Sequence, residues 1–110
     1  MCGITGLVGG QPGFDTGQLA DLGHQMGRTL DHRGPDDQGV WVDAANGVVL
    51  AHQRLAIVDL SSAGRQPMVS ACGRWVIVYN GELYNTAKLR DRLGGRSDRF
   101  RGHSDTEGLL

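Results

Sequence analysis

The chain predicts a layered α+β domain on three observations: an apolar opening run, one amphipathic helical stretch, and then several β-type runs punctuated by turn residues. Its 110 residues, 39% of them hydrophobic, allow one domain with a modest core.

Gly3 to Val8 reads as a buried strand, and Gly9, Gly10, Pro12 and Gly13 break it. Leu19, Leu22, Met26 and Leu30 then recur at helical spacing. With Asp15 as N-cap and Gln18 three residues on, they predict an amphipathic helix despite Gly23 and Gly27. The run His32 to Asp37 stops that helix, because Pro35 disfavours helix at Gly34 and the two aspartates suit turns. Val40 to Asp43 and Val48 to His52 form a hairpin across Ala44 to Gly47, with Asn46-Gly47 supplying positive φ angles.

Leu55 to Leu60 is expected to continue as another strand, followed by a loop from Ser61 to Pro67. Trp75 to Tyr79 is the strongest strand of the chain, and Asn80-Gly81 ends it as a turn. Asn85 caps a helix that carries Leu89 and Leu93 and is closed by Gly94-Gly95. After an arginine-rich stretch, Ser104-Asp105-Thr106-Glu107 has the capping-box pattern and opens a last helix. Because the chain stops one turn into that helix, the expectation is the front of a domain whose second half is missing.

A net charge of -1 gives no general basic field, so no nucleic-acid partner is expected. Most of the cationic residues are arginine, and several crowd into Arg90 to Arg101, which reads as a solvated face. No run approaches the roughly eighteen apolar residues of a membrane span, and Cys2 to Val8 lacks a basic leader. Two cysteines without a CxxC spacing make no disulfide framework, which points to a reducing cytoplasm. His24, His32, His52 and His103 share no ligand spacing with either cysteine, so no metal site is expected.

Cys2 is the residue with most chemical promise. Removal of Met1 leaves a thiol and a free α-amino group on one residue, a nucleophile beside its own base. On position alone the better reading of Cys2 is a small core residue of the first strand. Cys72, beside Gly73 in a predicted turn, reads as an incidental free thiol.

Six ordered segments change that balance. Met1-Cys2-Gly3-Ile4, His32-Arg33-Gly34-Pro35-Asp36, Arg54 to Leu60, Gln66-Pro67-Met68, Tyr79-Asn80-Gly81-Glu82 and Ser104-Asp105-Thr106-Glu107 together span the chain. They resemble the class II glutamine amidotransferases, specifically the amino-terminal glutaminase domain of glutamine-dependent asparagine synthetase.

The resemblance implies an N-terminal-nucleophile hydrolase fold, a four-layer αββα sandwich of antiparallel sheets, of which residues 1–110 form the amino-terminal portion. Its substrate would be L-glutamine. Cys2 would attack the side-chain amide while its α-amino group carries the proton to the leaving ammonia. Asn80 and Gly81 match the donors of an oxyanion hole. Arg54 matches the residue that holds the α-carboxylate, a task suited to a planar guanidinium fork. Asp105 matches the partner of the α-ammonium, although an acid behind Ser104 also suits a helix start. Glu82 and the backbone of Leu55, Ala56, Ile57 and Val58 would line the same pocket. His32, Arg33 and Asp36 would organise a loop near the thiol.

No phosphate-binding loop is legible here, so this chain is expected to carry no cofactor. ATP and Mg belong to a synthetase domain or subunit outside these residues, which would supply the acceptor, aspartate or another carboxylate. Two other readings remain at this stage. One is an amidotransferase of a different biosynthetic pathway; the other is a truncated, inactive or merely glutamine-binding fragment.

Overall fold

The computed structural model describes residues 1–9, 13–57, 61–94 and 100–110. Strand β1, Gly3–Leu7, leads through a glycine-rich break into helix α1, Thr16–Arg28. Asp15 and Gln18 form the predicted capping box: the Asp15 carboxylate accepts from the Gln18 N–H at 2.8 Å, and the Gln18 amide oxygen accepts from the Asp15 N–H at 2.9 Å.

Strands β2, Asp37–Asp43, and β3, Val48–Arg54, build an antiparallel sheet with β1 in the order β1-β3-β2. The register places Gly3 opposite Gln53 and Asp37 opposite Arg54. Side chains alternate across a strand, so Val49, Ala51 and Gln53 share one face of β3 while Leu50, His52 and Arg54 share the other. The first face carries the core under α1, where Leu19, Val49 and Ala51 are fully buried.

The two mid-helix glycines are part of that packing. A Cβ at Gly23 would fall 2.6 Å from Val49 Cγ2 and 2.7 Å from Val40 Cγ1, so the helix can lie this close to the sheet only without a side chain there. At Gly27 a Cβ would meet the movable amide end of the Gln38 side chain, a softer constraint.

A two-stranded antiparallel sheet follows, β4 at Met68–Val69 and β5 at Val76–Ile77. Helix α2 covers Thr86–Arg92, and a single 3-10 turn at Thr106–Gly108 closes the chain. The described residues therefore form a small α+β domain with antiparallel sheets. Among them, no helix is long and apolar enough to cross a membrane.

Several elements differ from expectation, each for a local reason. The hairpin turn needs positive φ only at Gly47, at 62°; Asn46 instead donates its backbone and side-chain N–H groups to the Asp43 carboxylate. The strand expected over Leu55 to Leu60 is absent at Leu55 to Ile57, while residues 58–60 lie outside the described residues. Its backbone donors go to side chains rather than to a ladder, Leu55 N–H to Cys2 Sγ and Ala56 N–H to Asp36 Oδ2.

Trp75 to Tyr79 shrinks to Val76–Ile77, because the Tyr79 N–H leaves the sheet for Gln66 Oε1 at 2.6 Å. Asn80-Gly81 makes no hairpin turn and neither residue has a positive φ. Asn85 precedes α2 without a side-chain cap, and Gly94, at φ 101°, follows the helix as expected; Gly95 lies outside the described residues. The last helix is only the 3-10 turn. Asp105 is its cap, with Ser104 Oγ accepting the same Thr106 N–H at 3.2 Å, and the Glu107 carboxylate takes the N–H groups of Arg101 and Gly102 instead of closing a capping box.

Candidate functional site

The face of β3 opposite α1 begins the site. Cys2 directly precedes β1, and since Gly3 pairs with Gln53, Cys2 sits at the level of Arg54 at the same end of the sheet. Its sulfur is held by one residue of the adjoining segment: Leu55 donates its N–H to Sγ at 3.4 Å, and Sγ donates to the Leu55 carbonyl at 3.6 Å. Arg33 fixes the other side of the same residue, donating from Nε to the Cys2 carbonyl at 3.2 Å. Asp36 steadies the Leu55 segment by accepting from Ala56 N–H at 2.7 Å and by giving its own N–H to the Arg54 carbonyl at 2.9 Å.

A cavity of about 360 Å³ opens at this point. Of the residues singled out in the sequence, Cys2, Arg54, Leu55, Ile57, Asn80, Gly81, Glu82 and Asp105 all line it. Ala56, whose N–H goes to Asp36, is not among the lining residues, and Val58 lies outside the described residues.

Arg54 and Asp105 are both nearly buried, which is costly for charges without partners. Arg54 donates from a terminal guanidinium nitrogen to the Ser61 carbonyl at 2.9 Å. Asp105 accepts from Leu83 N–H at 2.8 Å and from Thr106 N–H at 2.9 Å. A carboxylate has about four lone-pair sites, so both oxygens keep capacity for a ligand ammonium. Asn80, Gly81 and Glu82 are exposed and form the rim. Gly81 is glycine for a reason of packing: a Cβ would lie 2.6 Å from the Tyr79 hydroxyl oxygen, so the Tyr79 side chain occupies its place.

Three lining residues were not legible as site residues. Gln66 is buried and spans the cavity wall, accepting from Tyr79 N–H and donating to Thr106 Oγ1 at 3.1 Å. It thereby ties the segment before Asn80 to the turn that carries Asp105. Thr106 lines the wall beside it. His52 is 1% exposed, and neither ring nitrogen has a hydrogen-bond partner among the described residues. Burial pushes its imidazole below the usual value, the Tyr79 backbone opposes that, and the Arg54 guanidinium adds to the lowering. Period two places His52 on the Arg54 face, a signal present in the sequence. The parts of Gln66 and Thr106 depend on contacts between distant segments.

The cavity thus combines a thiol, a guanidinium, a carboxylate and a pair of rim amides. Such a set can hold a zwitterion by both charges and present a carbonyl carbon to sulfur. Among the described residues, no three histidine, cysteine or carboxylate side chains converge as metal ligands do.

Comparison with known proteins gives the family. The family described as glutamine amidotransferase domain matches residues 1–110. Asparagine synthetase [glutamine-hydrolyzing] 3 of Bacillus subtilis is 46% identical over 117 residues, covering 100% of this chain and 17% of its own length. A probable asparagine synthetase of Schizosaccharomyces pombe is 45% identical, with 100% of this chain and 19% of that protein covered. Asparagine synthetase B of Escherichia coli is 37% identical over the same shares, 100% and 19%. The chain spans under a fifth of the length of these relatives, and with the family matched from end to end it belongs to the glutamine amidotransferase domain family.

Proposed function

We propose that the chain is the glutaminase part of a glutamine-hydrolysing asparagine synthetase, the amino-terminal portion of an N-terminal-nucleophile domain with the four-layer αββα architecture. The observation that carries this reading is one cavity lined by Cys2, Arg54, Asn80, Gly81, Glu82 and Asp105. The names of the relatives, all glutamine-hydrolysing asparagine synthetases, support the pathway.

In this reading Met1, which is 77% exposed, is removed and the α-amino group of Cys2 becomes the base. Arg54 holds the α-carboxylate of L-glutamine as a planar fork, Asp105 holds its α-ammonium, and Glu82 contacts it from the rim. Cys2 Sγ attacks the amide carbon, and the oxygen of the tetrahedral intermediate is met by the Asn80 side chain and the Gly81 N–H. Loss of one such donor typically costs about 3 to 4 kcal/mol of transition-state stabilisation. The C–N bond breaks as the α-amino group passes its proton to the departing ammonia. Water then adds to the thioester, releasing glutamate and restoring the thiol.

The ammonia goes to a synthetase domain or subunit that activates an acceptor carboxylate such as aspartate, a ligase reaction in asparagine biosynthesis in the cytoplasm. ATP and Mg belong there. The cavity of this chain is a clamp for a zwitterion and holds no cluster of carboxylates for Mg among the described residues.

A second reading, a glutamine-binding fragment without turnover, is favoured by one observation. Trp75, Val76, Ile77, Leu109 and Leu110 line a separate apolar groove, in which Trp75 is 60% and Leu109 44% exposed. The two readings separate on one assay. Purified chain incubated with L-glutamine releases ammonia, and Cys2→Ala abolishes the release. Equal signals from both proteins would remove the catalytic reading. Mass determination of the N-terminus accompanies it, because retained Met1 leaves Cys2 without its amine.

A further inference from the structure

His52 has no role in the chemistry above, yet it is the most deeply buried polar side chain of the cavity wall. Buried imidazoles satisfy at least one nitrogen as a rule, and here both Nδ1 and Nε2 lack a completed hydrogen bond among the described residues. Its position on the strand is well defined. It pairs across β1 with Ile4 and across β2 with Gly39, two residues from Arg54 on the same face. Gly39 leaves room there for the Gln66 carbonyl, which closes over that face of the sheet.

Asp37 of β2 and Arg54 on its own strand act on the ring through their charges, and the Tyr79 backbone, which lines the same cavity, acts on it as a hydrogen-bond acceptor whose approach stops short of a completed bond. The Tyr79 N–H is already given to Gln66 Oε1. What remains of that residue's backbone for an imidazole N–H is the carbonyl, which belongs to the Tyr79-Asn80 peptide. Turning that peptide re-aims Asn80 and, after it, Gly81.

Resting on the function proposed above, we infer that His52 is a positioning residue: as a neutral donor it holds the Tyr79 carbonyl when L-glutamine occupies the cavity, and so sets the Asn80-Gly81 oxyanion donors. It touches neither sulfur nor amide carbon in this role. Its effect therefore falls on turnover rather than on binding, since the α-carboxylate and α-ammonium are held elsewhere. A misplacement of reacting groups by about an ångström lowers turnover roughly a hundredfold.

The test uses the full chain, L-glutamine as the probe, and the variants His52→Leu and His52→Gln. Heteronuclear NMR of the wild-type ring nitrogens is expected to show a neutral imidazole with one nitrogen passing to a hydrogen-bonded shift on addition of glutamine. In ammonia-release kinetics, folded His52→Leu is expected to lose about tenfold to a hundredfold in kcat with KM much less affected. The side-chain amide of His52→Gln restores part of the loss. Ring nitrogens that ignore glutamine, in a wild-type chain that does release ammonia, would overturn the role of His52 alone. Unchanged kcat in folded His52→Leu would do the same. A wild-type chain that neither binds glutamine nor releases ammonia would overturn the glutaminase reading and this inference with it.

Discussion

Cys2 and Leu55 hold each other by both ends of one residue: Sγ accepts the Leu55 N–H at 3.4 Å and donates to the Leu55 carbonyl at 3.6 Å. Residues 53 positions apart thereby meet at the mouth of the cavity. The thiol is placed less by its own strand than by the segment after β3, which Asp36 in turn steadies through Ala56.

Asp36→Ala removes that support. The hydrogen bond lies at the surface, so the stability cost is about 1 kcal/mol, read from denaturant midpoints. The Leu55 segment loosens around the sulfur, and alkylation of Cys2 in a Cys72→Ser background speeds up. An unchanged alkylation rate would mean that Leu55 holds the thiol without help.

Arg54→Lys keeps the charge and loses the fork. A hydrogen bond to a charged group contributes about 1.5 to 3 kcal/mol. Since each 1.4 kcal/mol is tenfold, KM for glutamine is expected to rise by about one to two orders of magnitude. Kinetics that compare KM with kcat check this, and a loss confined to kcat would place Arg54 away from the α-carboxylate.

Gly23→Ala puts a methyl group 2.6 Å from Val49 Cγ2 and 2.7 Å from Val40 Cγ1. Helix propensity favours the change by up to about 1 kcal/mol. Overpacking opposes it by about 1 to 3 kcal/mol, and overpacking wins because both clashing groups are branched side chains on the sheet beneath α1. Thermal denaturation is expected to show a lower Tm; a higher one would mean that α1 can lift from the sheet at little cost.

His52 gives stability a specific dependence on pH. Its imidazole titrates below the ordinary 6.5 in the folded chain, chiefly through burial. Between the two values the unfolded chain binds a proton that the folded chain does not. The contribution is complete above about pH 6.5, declines as pH falls from there towards the folded value, and then levels off. Tm measured across that window is expected to fall on acidification, and His52→Gln to remove this component. Identical slopes for the two proteins would show that His52 is not buried neutral.

How far the sequence carried depended on whether a segment's backbone bonds were local. The Asp15-Gln18 capping box and the turn before Val48 close within a few residues, and both were legible. Leu55 to Ile57 and Trp75 to Tyr79 carry strand-like side chains, but the N–H groups of Leu55, Ala56 and Tyr79 are taken by Cys2, Asp36 and Gln66 from elsewhere. No propensity reports such partners. The cavity divides the same way. Cys2, Arg54, Asn80, Gly81 and Asp105 were marked by their segments' resemblance to a known family, and the structure lines one cavity with them. Gln66 was seen only as part of a motif, because the two hydrogen bonds of its side-chain amide join residues 13 and 40 positions away.

The central claim is that Cys2, freed of Met1, forms a covalent intermediate with glutamine in this cavity. Acid-quenched mixtures of the chain with isotope-labelled L-glutamine, analysed by mass spectrometry of the N-terminal peptide, test it directly. The account predicts a labelled γ-glutamyl thioester on Cys2 in chains that lack Met1, and none in Cys2→Ala. Ammonia released from glutamine with no adduct on Cys2, or by Cys2→Ala at the wild-type rate, would contradict it.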